Sequence, residues 1–316
     1  MKRIAAVVTL ALLSPLIAEY LSGSLSLAEI AAMPVMLAMY GGGAVLIRET
    51  VRRSGRGWPS ILLLGLAYAL VEEGIADQSL FNPNFEGLRL LDPGFLPALG
   101  IGVPWTLYVL AIHVIWSIMV PIALAESLFP SIRREPWTGR VGVAVAAFFY
   151  AGGVALITLF FAKTFFAPPA QIAASAAAAV VFVVAAFMLP RPQPKPAGAG
   201  PRPWLVGVAS FAATSAFVQL YGLGVRIWPW QAVALGMVLL LVLMLAAVFV
   251  SHRRSGWTPA QIYAAAAGAL LTYGWTGFFT EIALHGPAML PAHAGLAAVM
   301  LVLLVIAGFT SCVRRP

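Results

Sequence analysis

Charge is scarce in this sequence. Of 316 residues only 19 are Lys or Arg and 11 are Asp or Glu, 9% in all, against 61% hydrophobic. Soluble domains carry roughly 25% charged and about 45–50% apolar residues, so a water-soluble fold of this composition has too little polar surface to cover itself. Cysteine is nearly absent. The single Cys312 excludes an intramolecular disulfide and a thiolate metal cluster, and at the end of the last apolar run it reads as an inert small apolar side chain. Also missing are a P-loop, a dinucleotide fingerprint, an HExxH zinc motif, a Gly-x-Ser-x-Gly elbow and any nucleic-acid motif. The net charge of +8 comes from short basic clusters between apolar runs rather than from a stripe. The expected partner is therefore the lipid bilayer and not nucleic acid.

Spanning a hydrocarbon core of about 30 Å takes roughly 20 helical residues. Ten apolar runs of about that length are bounded by Pro, Gly or charge: 4–20, 31–48, 58–81, 106–129, 141–163, 169–189, 204–225, 230–251, 259–284 and 291–311. The first follows Lys2 and Arg3 as a secretory signal would, but no small-x-small cleavage pattern follows at Glu19 or Tyr20, so it is read as an uncleaved helix. With the N-terminus inside, 16 of the 19 Lys and Arg fall on inner segments, leaving Arg89, Lys163 and Arg226 outside. That is the asymmetry of the positive-inside rule. The expected fold is an all-α polytopic membrane bundle of about ten transmembrane helices, N-in and C-in, in the cell membrane.

Two connections differ from the rest. Residues 191–203 (RPQPKPAGAGPRP) are too rich in Pro and Gly for a helix and read as a cytoplasmic link between a six-helix bundle, 1–190, and a four-helix segment, 204–316. The outer loop 82–105 is long and carries aromatic residues, which suits either a lid or a spacer.

Ionisable side chains deep in a membrane helix cost at least about 2.5–3.5 kcal/mol each and usually face the bundle or a wet cavity. One stretch dominates by that criterion: Glu72, Glu73 and Asp77 inside the third run. Glu73 and Asp77 are four apart and share a helix face, with Glu72 about 100° round. Two like charges so close in low dielectric require a proton or a counter-charge. Gly65, Ala69 and Ala76 lie near the same side and allow another helix to approach. Glu73 stands eight residues from Phe81, roughly 12 Å below the outer end of the run, and His113 stands seven residues below Thr106, roughly 10 Å deep. The two are expected to be neighbours on consecutive antiparallel helices. Ser117 shares the face of His113, and Pro121 cannot donate to the Ser117 carbonyl, which leaves an acceptor free.

Glu72, Glu73 and His113 are thus the candidate catalytic residues, with Asp77, Ser117, Asn82 and Tyr40 as candidate substrate contacts. No motif specifies a cofactor, and the residues leave a metal open. Glu19, Glu281, His285 and His293 fall at predicted outer ends and read as interfacial, and Glu126 near an inner end reads as snorkelling. Gly41, Gly42 and Gly43, beside Tyr40, either loosen the second helix or permit close packing.

At Glu72-Glu73 and His113 the chain resembles the CPBP group of intramembrane proteases, which includes the CAAX-prenyl endopeptidases and the Abi proteins. That family carries Glu-Glu-x-x-x-Arg, Phe-x-x-x-His and His-x-x-x-Asn motifs on neighbouring membrane helices. Here Asp77 stands at the Arg position, Ser117 at the Asn position, and no Phe-x-x-x-His occurs. The likeness covers the third and fourth helices. It implies that Glu73 or Glu72 polarises a water for attack on a buried carbonyl, with His113 holding the water or the oxyanion. A relative that binds without cleaving is equally compatible with the missing second His. Two other readings stand beside it: a proton- or cation-coupled small-molecule carrier of two inverted five-helix halves, and a structural membrane subunit. The substrate, peptide or small molecule, is not specified.

Overall fold

A computed structural model describes residues 1–191, 200–255 and 257–313, and only the backbone of 250–255 and 312–313. The Cys312 side chain, Arg314, Arg315 and residues 192–199 of the expected link lie outside this description. The chain folds as an all-α polytopic bundle. Its helices are α1 (Lys2–Leu21), α2 (Leu27–Arg53), α3 (Trp58–Ala76), α4 (Val103–Leu128), α5 (Arg140–Phe161), α6 (Pro169–Met188) and α7 (Pro203–Ile227). They continue with α8 (Trp230–Ser255), α9 (Pro259–His285) and α10 (Leu290–Val313). Nine helices among the described residues are long and apolar enough to cross a membrane. The tenth, α9, has the length, at 27 residues, but its Gln, Tyr, Thr and Gly content makes it less apolar.

Local chemistry accounts for where these helices begin. A Pro in the first turn opens α3, α4, α6, α7 and α9, where its fixed φ suits the helix and its missing N–H removes a donor that would have no partner. Capping boxes start α2 at Ser26 with Glu29 and α9 at Thr258 with Gln261.

The largest departure from the sequence reading is the end of α3. The helix stops at Ala76 rather than running to residue 81, because Gln78 adopts a left-handed φ of 62° and turns the chain back. Such a backbone is uncommon outside glycine, and the buried Gln78 side chain holds it, accepting from the Ala167 amide at 2.7 Å and donating to the Ile75 carbonyl at 3.3 Å. The loop that follows is packed. It forms a short antiparallel hairpin of β1 (Phe95–Leu96) and β2 (Ile101–Gly102), and its Leu99 carbonyl is held by Gln171 of α6 at 3.0 Å.

Helix α4 is the hub, packed against α1, α2, α3, α8, α9 and α10, while α5 and α6 lie outside on α2 and α3. The helices on either side of the Pro- and Gly-rich link therefore share one bundle. At the centre Trp116 is fully buried, stacked on Tyr273 at 4.3 Å and donating to the Ala269 carbonyl at 2.8 Å. Phe148, Leu159, Val181 and Leu243 on the outer helices are largely exposed, the surface that lipid covers.

Candidate functional site

Each of α1 to α4 contains one widened, π-helical stretch: Leu16–Leu21, Leu37–Gly41, Glu72–Ala76 and His113–Met119. Such turns concentrate at functional sites because they re-aim side chains and leave main-chain groups to be satisfied elsewhere. Here each carries a polar member of one cluster: Glu19, Tyr40, the Glu72-Glu73 pair and His113.

His113 Nε2 lies 3.1 Å from Glu72 Oε2 and 3.3 Å from Glu73 Oε1. The Tyr40 hydroxyl is 3.4 Å from the same nitrogen and donates a short hydrogen bond to Glu19 Oε1. The far nitrogen, Nδ1, faces the Val109 carbonyl at 2.8 Å. A carbonyl only accepts, so Nδ1 carries a hydrogen and orients the ring. Glu72, Glu73 and His113 are only 2, 3 and 6% exposed, enclosed by protein alone.

Glu73 is held from the other side. The Ser79 hydroxyl donates to Glu73 Oε2 and accepts from the Trp105 indole at 3.2 Å. The left-handed turn at Gln78 is what brings Ser79 back over the carboxylate. Glu73 lies three residues from the end of α3, so its burial comes from this returning chain and not from depth along the helix.

Two buried atoms of this cluster make no well-aligned hydrogen bond: Glu72 Oε2, which is 3.1 Å from His113 Nε2, and the hydroxyl of Tyr68, a neighbour of Glu72. Tyr68 packs between His113 and Tyr150, with ring centres 6.4 and 5.7 Å away. An unsatisfied buried polar group costs about 1–3 kcal/mol, so these atoms are where the cluster has hydrogen-bonding capacity to spare.

Of the residues expected from sequence, the structure brings together Glu72, Glu73, His113 and Tyr40. Asp77 instead accepts the Ser79 amide at 3.0 Å, and Asn82 the Asn84 amide at 3.0 Å, both in local turns beyond α3. Ser117 contributes its carbonyl, freed by Pro121, which accepts from the Ser14 hydroxyl at 2.6 Å and so ties α4 to α1.

Glu19, expected at the interface, instead belongs to the cluster, because the π-helical stretch after Pro15 turns it toward Tyr40. Glu126 does not snorkel. It is buried and accepts from Arg52 at 2.7 Å and Arg48 at 3.1 Å, since α2 presents both guanidiniums to α4. Glu281 and His293 are also buried, 3.3 Å apart between α9 and α10, whereas His285 sits near the surface 3.1 Å from the Ser24 carbonyl. Sequence offered one usable signal for Glu19, an acid just after a proline in an apolar run. Tyr68 and Ser79 carried none.

The arrangement supplies proton acceptors in Glu72 and Glu73, a nitrogen whose orientation is preset, and hydroxyl donors from Tyr40 and Tyr68. Neither a curated protein nor a solved structure matches the chain. The family comparison does: the chain belongs to an uncharacterized membrane protein family, whose model matches residues 8–316.

Proposed function

We propose that this multi-pass membrane protein is an intramembrane hydrolase resembling the CPBP proteases, with both termini in the cytoplasm of a cell whose bounding membrane it spans. The observation that carries the reading is the convergence of Glu72 and Glu73 on His113 Nε2 in an enclosed site, at 3.1 and 3.3 Å. Glu73 takes a proton from a water lying between the carboxylates and the imidazole. The resulting hydroxide adds to the substrate carbonyl carbon, and the buried hydroxyl of Tyr68, a neighbour of Glu72, donates to the oxyanion. The proton on Glu73 then passes to the leaving group as the scissile bond breaks. Ser79, pinned by Trp105, holds Glu73 in place, so the loop after α3 acts as the cover of the site.

The test is cleavage of a quenched-fluorescent peptide with a hydrophobic C-terminal tail by protein reconstituted in phosphatidylethanolamine–phosphatidylglycerol liposomes. Wild-type protein should cleave it. Glu73→Gln keeps the shape but accepts no proton, and should lose about 10²–10⁴-fold in rate while still binding the peptide. A wild-type protein that cleaves nothing, or a fully active Glu73→Gln, would overturn the reading.

One observation favours a proton- or cation-coupled carrier as the second reading. The second buried acid–histidine pair, Glu281 with His293, lies in the other part of the bundle, and His293 Nε2 has no hydrogen-bond partner. pH-driven uptake that is lost in both Glu73→Gln and Glu281→Gln would support this alternative.

A further inference from the structure

We propose that Glu19, Glu72 and His113 hold a divalent transition-metal ion of the zinc type. One ligand atom from each residue lies within 4.8 Å of the others. Tetrahedral bonds of about 2.0–2.2 Å place the ligands of one zinc ion roughly 3.3–3.6 Å apart, so closure on the ion requires side-chain shifts of up to about 1 Å.

Three further features point the same way. First, the orientation of His113 is that of a metal ligand. Nδ1–H is committed to the Val109 carbonyl at 2.8 Å, which turns Nε2 toward the acids. Metal-bound imidazoles nearly always spend their other N–H on a carbonyl or carboxylate. Nε2 faces two carboxylate oxygens at 3.1 and 3.3 Å, a contact that needs a positive charge between them, supplied either by a proton on Nε2 or by a metal ion. Second, Glu72 Oε2 is buried, with the Glu72 residue 2% exposed, and makes no well-aligned hydrogen bond, although His113 Nε2 lies 3.1 Å away and Tyr68 is a neighbour. A carboxylate oxygen is a strong acceptor, and leaving it bare in the core is costly unless a proton or an ion takes it up. Third, the charge does not balance. Three carboxylates, Glu19, Glu72 and Glu73, meet one imidazole, and among the described residues no Lys or Arg forms an ion pair with any of them. The basic side chains of α2 are spent on Glu49 and Glu126 instead.

The donor set selects the class of ion. A nitrogen ligand disfavours magnesium and calcium, which take oxygen, and the lack of thiolates disfavours Cu(I), leaving zinc and its neighbours. The outer ring of contacts is also in place: Tyr40 donates to Glu19, and the Val109 carbonyl orients His113. Glu73 is left free of the ion as the base. For that role the inference rests on the hydrolase reading; for the ion it rests on geometry.

The experiment uses full-length protein in detergent, stripped with chelator, loaded with zinc, desalted and assayed for metal by mass spectrometry. Wild type and Glu73→Gln should retain one zinc per chain, with a nitrogen ligand visible by X-ray absorption. Glu19→Gln, Glu72→Gln and His113→Gln should retain little. If one of these fails to fold, judged by gel filtration, Tyr40→Phe serves in its place and should weaken zinc binding about 10–100-fold. Wild type that retains no zinc, or retention unchanged in all three ligand variants, would overturn the proposal. The two readings separate cleanly. Zinc held at these residues without peptide cleavage leaves the metal site standing and removes the hydrolase. Cleavage by wild-type protein that retains no zinc does the reverse.

Discussion

Glu126→Gln is the perturbation whose size the structure predicts most directly, and it needs no substrate. Glu126 receives Arg52 through Nε and Nη2 at 2.7 Å each and Arg48 Nε at 3.1 Å. Arg48 also donates to Glu49 at 2.6 Å and to the Arg133 carbonyl at 2.8 Å, with its guanidinium 3.5 Å over the Trp137 ring. Two arginines and two glutamates thus form a neutral buried set that clamps α2, carrying Tyr40, to α4, carrying His113. The side chains of Arg48, Arg52 and Glu126 are 0, 9 and 8% exposed, so solvent screens them little. Removing one partner of a buried pair costs about 3–5 kcal/mol. Glutamine keeps one acceptor oxygen, and a hydrogen bond to a charged group recovers about 1.5–3 kcal/mol. The net loss should be about 2 kcal/mol, a fall of roughly 30-fold in the folded-to-unfolded ratio. Glu135→Gln is the control, because its pair with Arg3 is half exposed on both sides and should matter by about 0–1 kcal/mol. Equilibrium unfolding in mixed micelles measures both. Adding Arg52→Gln to Glu126→Gln should recover part of the loss by removing the uncompensated cation. Equal, small losses for Glu126→Gln and Glu135→Gln would refute the reasoning.

Two other outcomes follow from the same structure. Ser14→Ala removes the hydroxyl that satisfies the Ser117 carbonyl at 2.6 Å, and should destabilise the bundle by about 1–3 kcal/mol in the same unfolding assay, a neutral result showing that another donor takes its place. For orientation, single cysteines at the exposed positions Asn84, Phe166 and Pro287 in a Cys312→Ser background should react with an impermeant thiol reagent from outside, and ones at Ser131 and Gly139 should not. The reverse pattern would invert the topology.

Sequence alone determined the solvent and the spans. So little charge leaves no alternative to a bilayer, and the ends of the apolar runs agree with most of the observed helices within a few residues, because proline, glycine and charge end a membrane helix by local chemistry. The pairing of Glu72 and Glu73 with His113 was legible from the antiparallel order of α3 and α4, but the depths assigned to it were not, because α3 ends at Ala76, three residues past Glu73, and α4 begins at Val103, ten residues before His113. The free Ser117 carbonyl was legible too, a consequence of Pro121 alone. Only the tertiary structure decided the rest of the cluster. Glu19 and Tyr68 join it, and Tyr40, a candidate from sequence, comes to bridge Glu19 and His113, through π-helical turns and close helix approaches that a regular period of 3.6 residues does not anticipate. Near Tyr40, α2 comes so close to α1 that a Cβ on Gly41 would stand 2.5 Å from the Ala11 carbonyl oxygen, the acceptor that Pro15 leaves free. Ser79 reaches Glu73 only because Gln78 takes a left-handed backbone held by its own buried side chain. Arg48 and Arg52 looked like topology signals and Glu126 like an interface anchor, each sound for an isolated helix. Packing α2 on α4 made them partners, because in a low-dielectric interior charges of opposite sign on neighbouring helices are far better paired than apart.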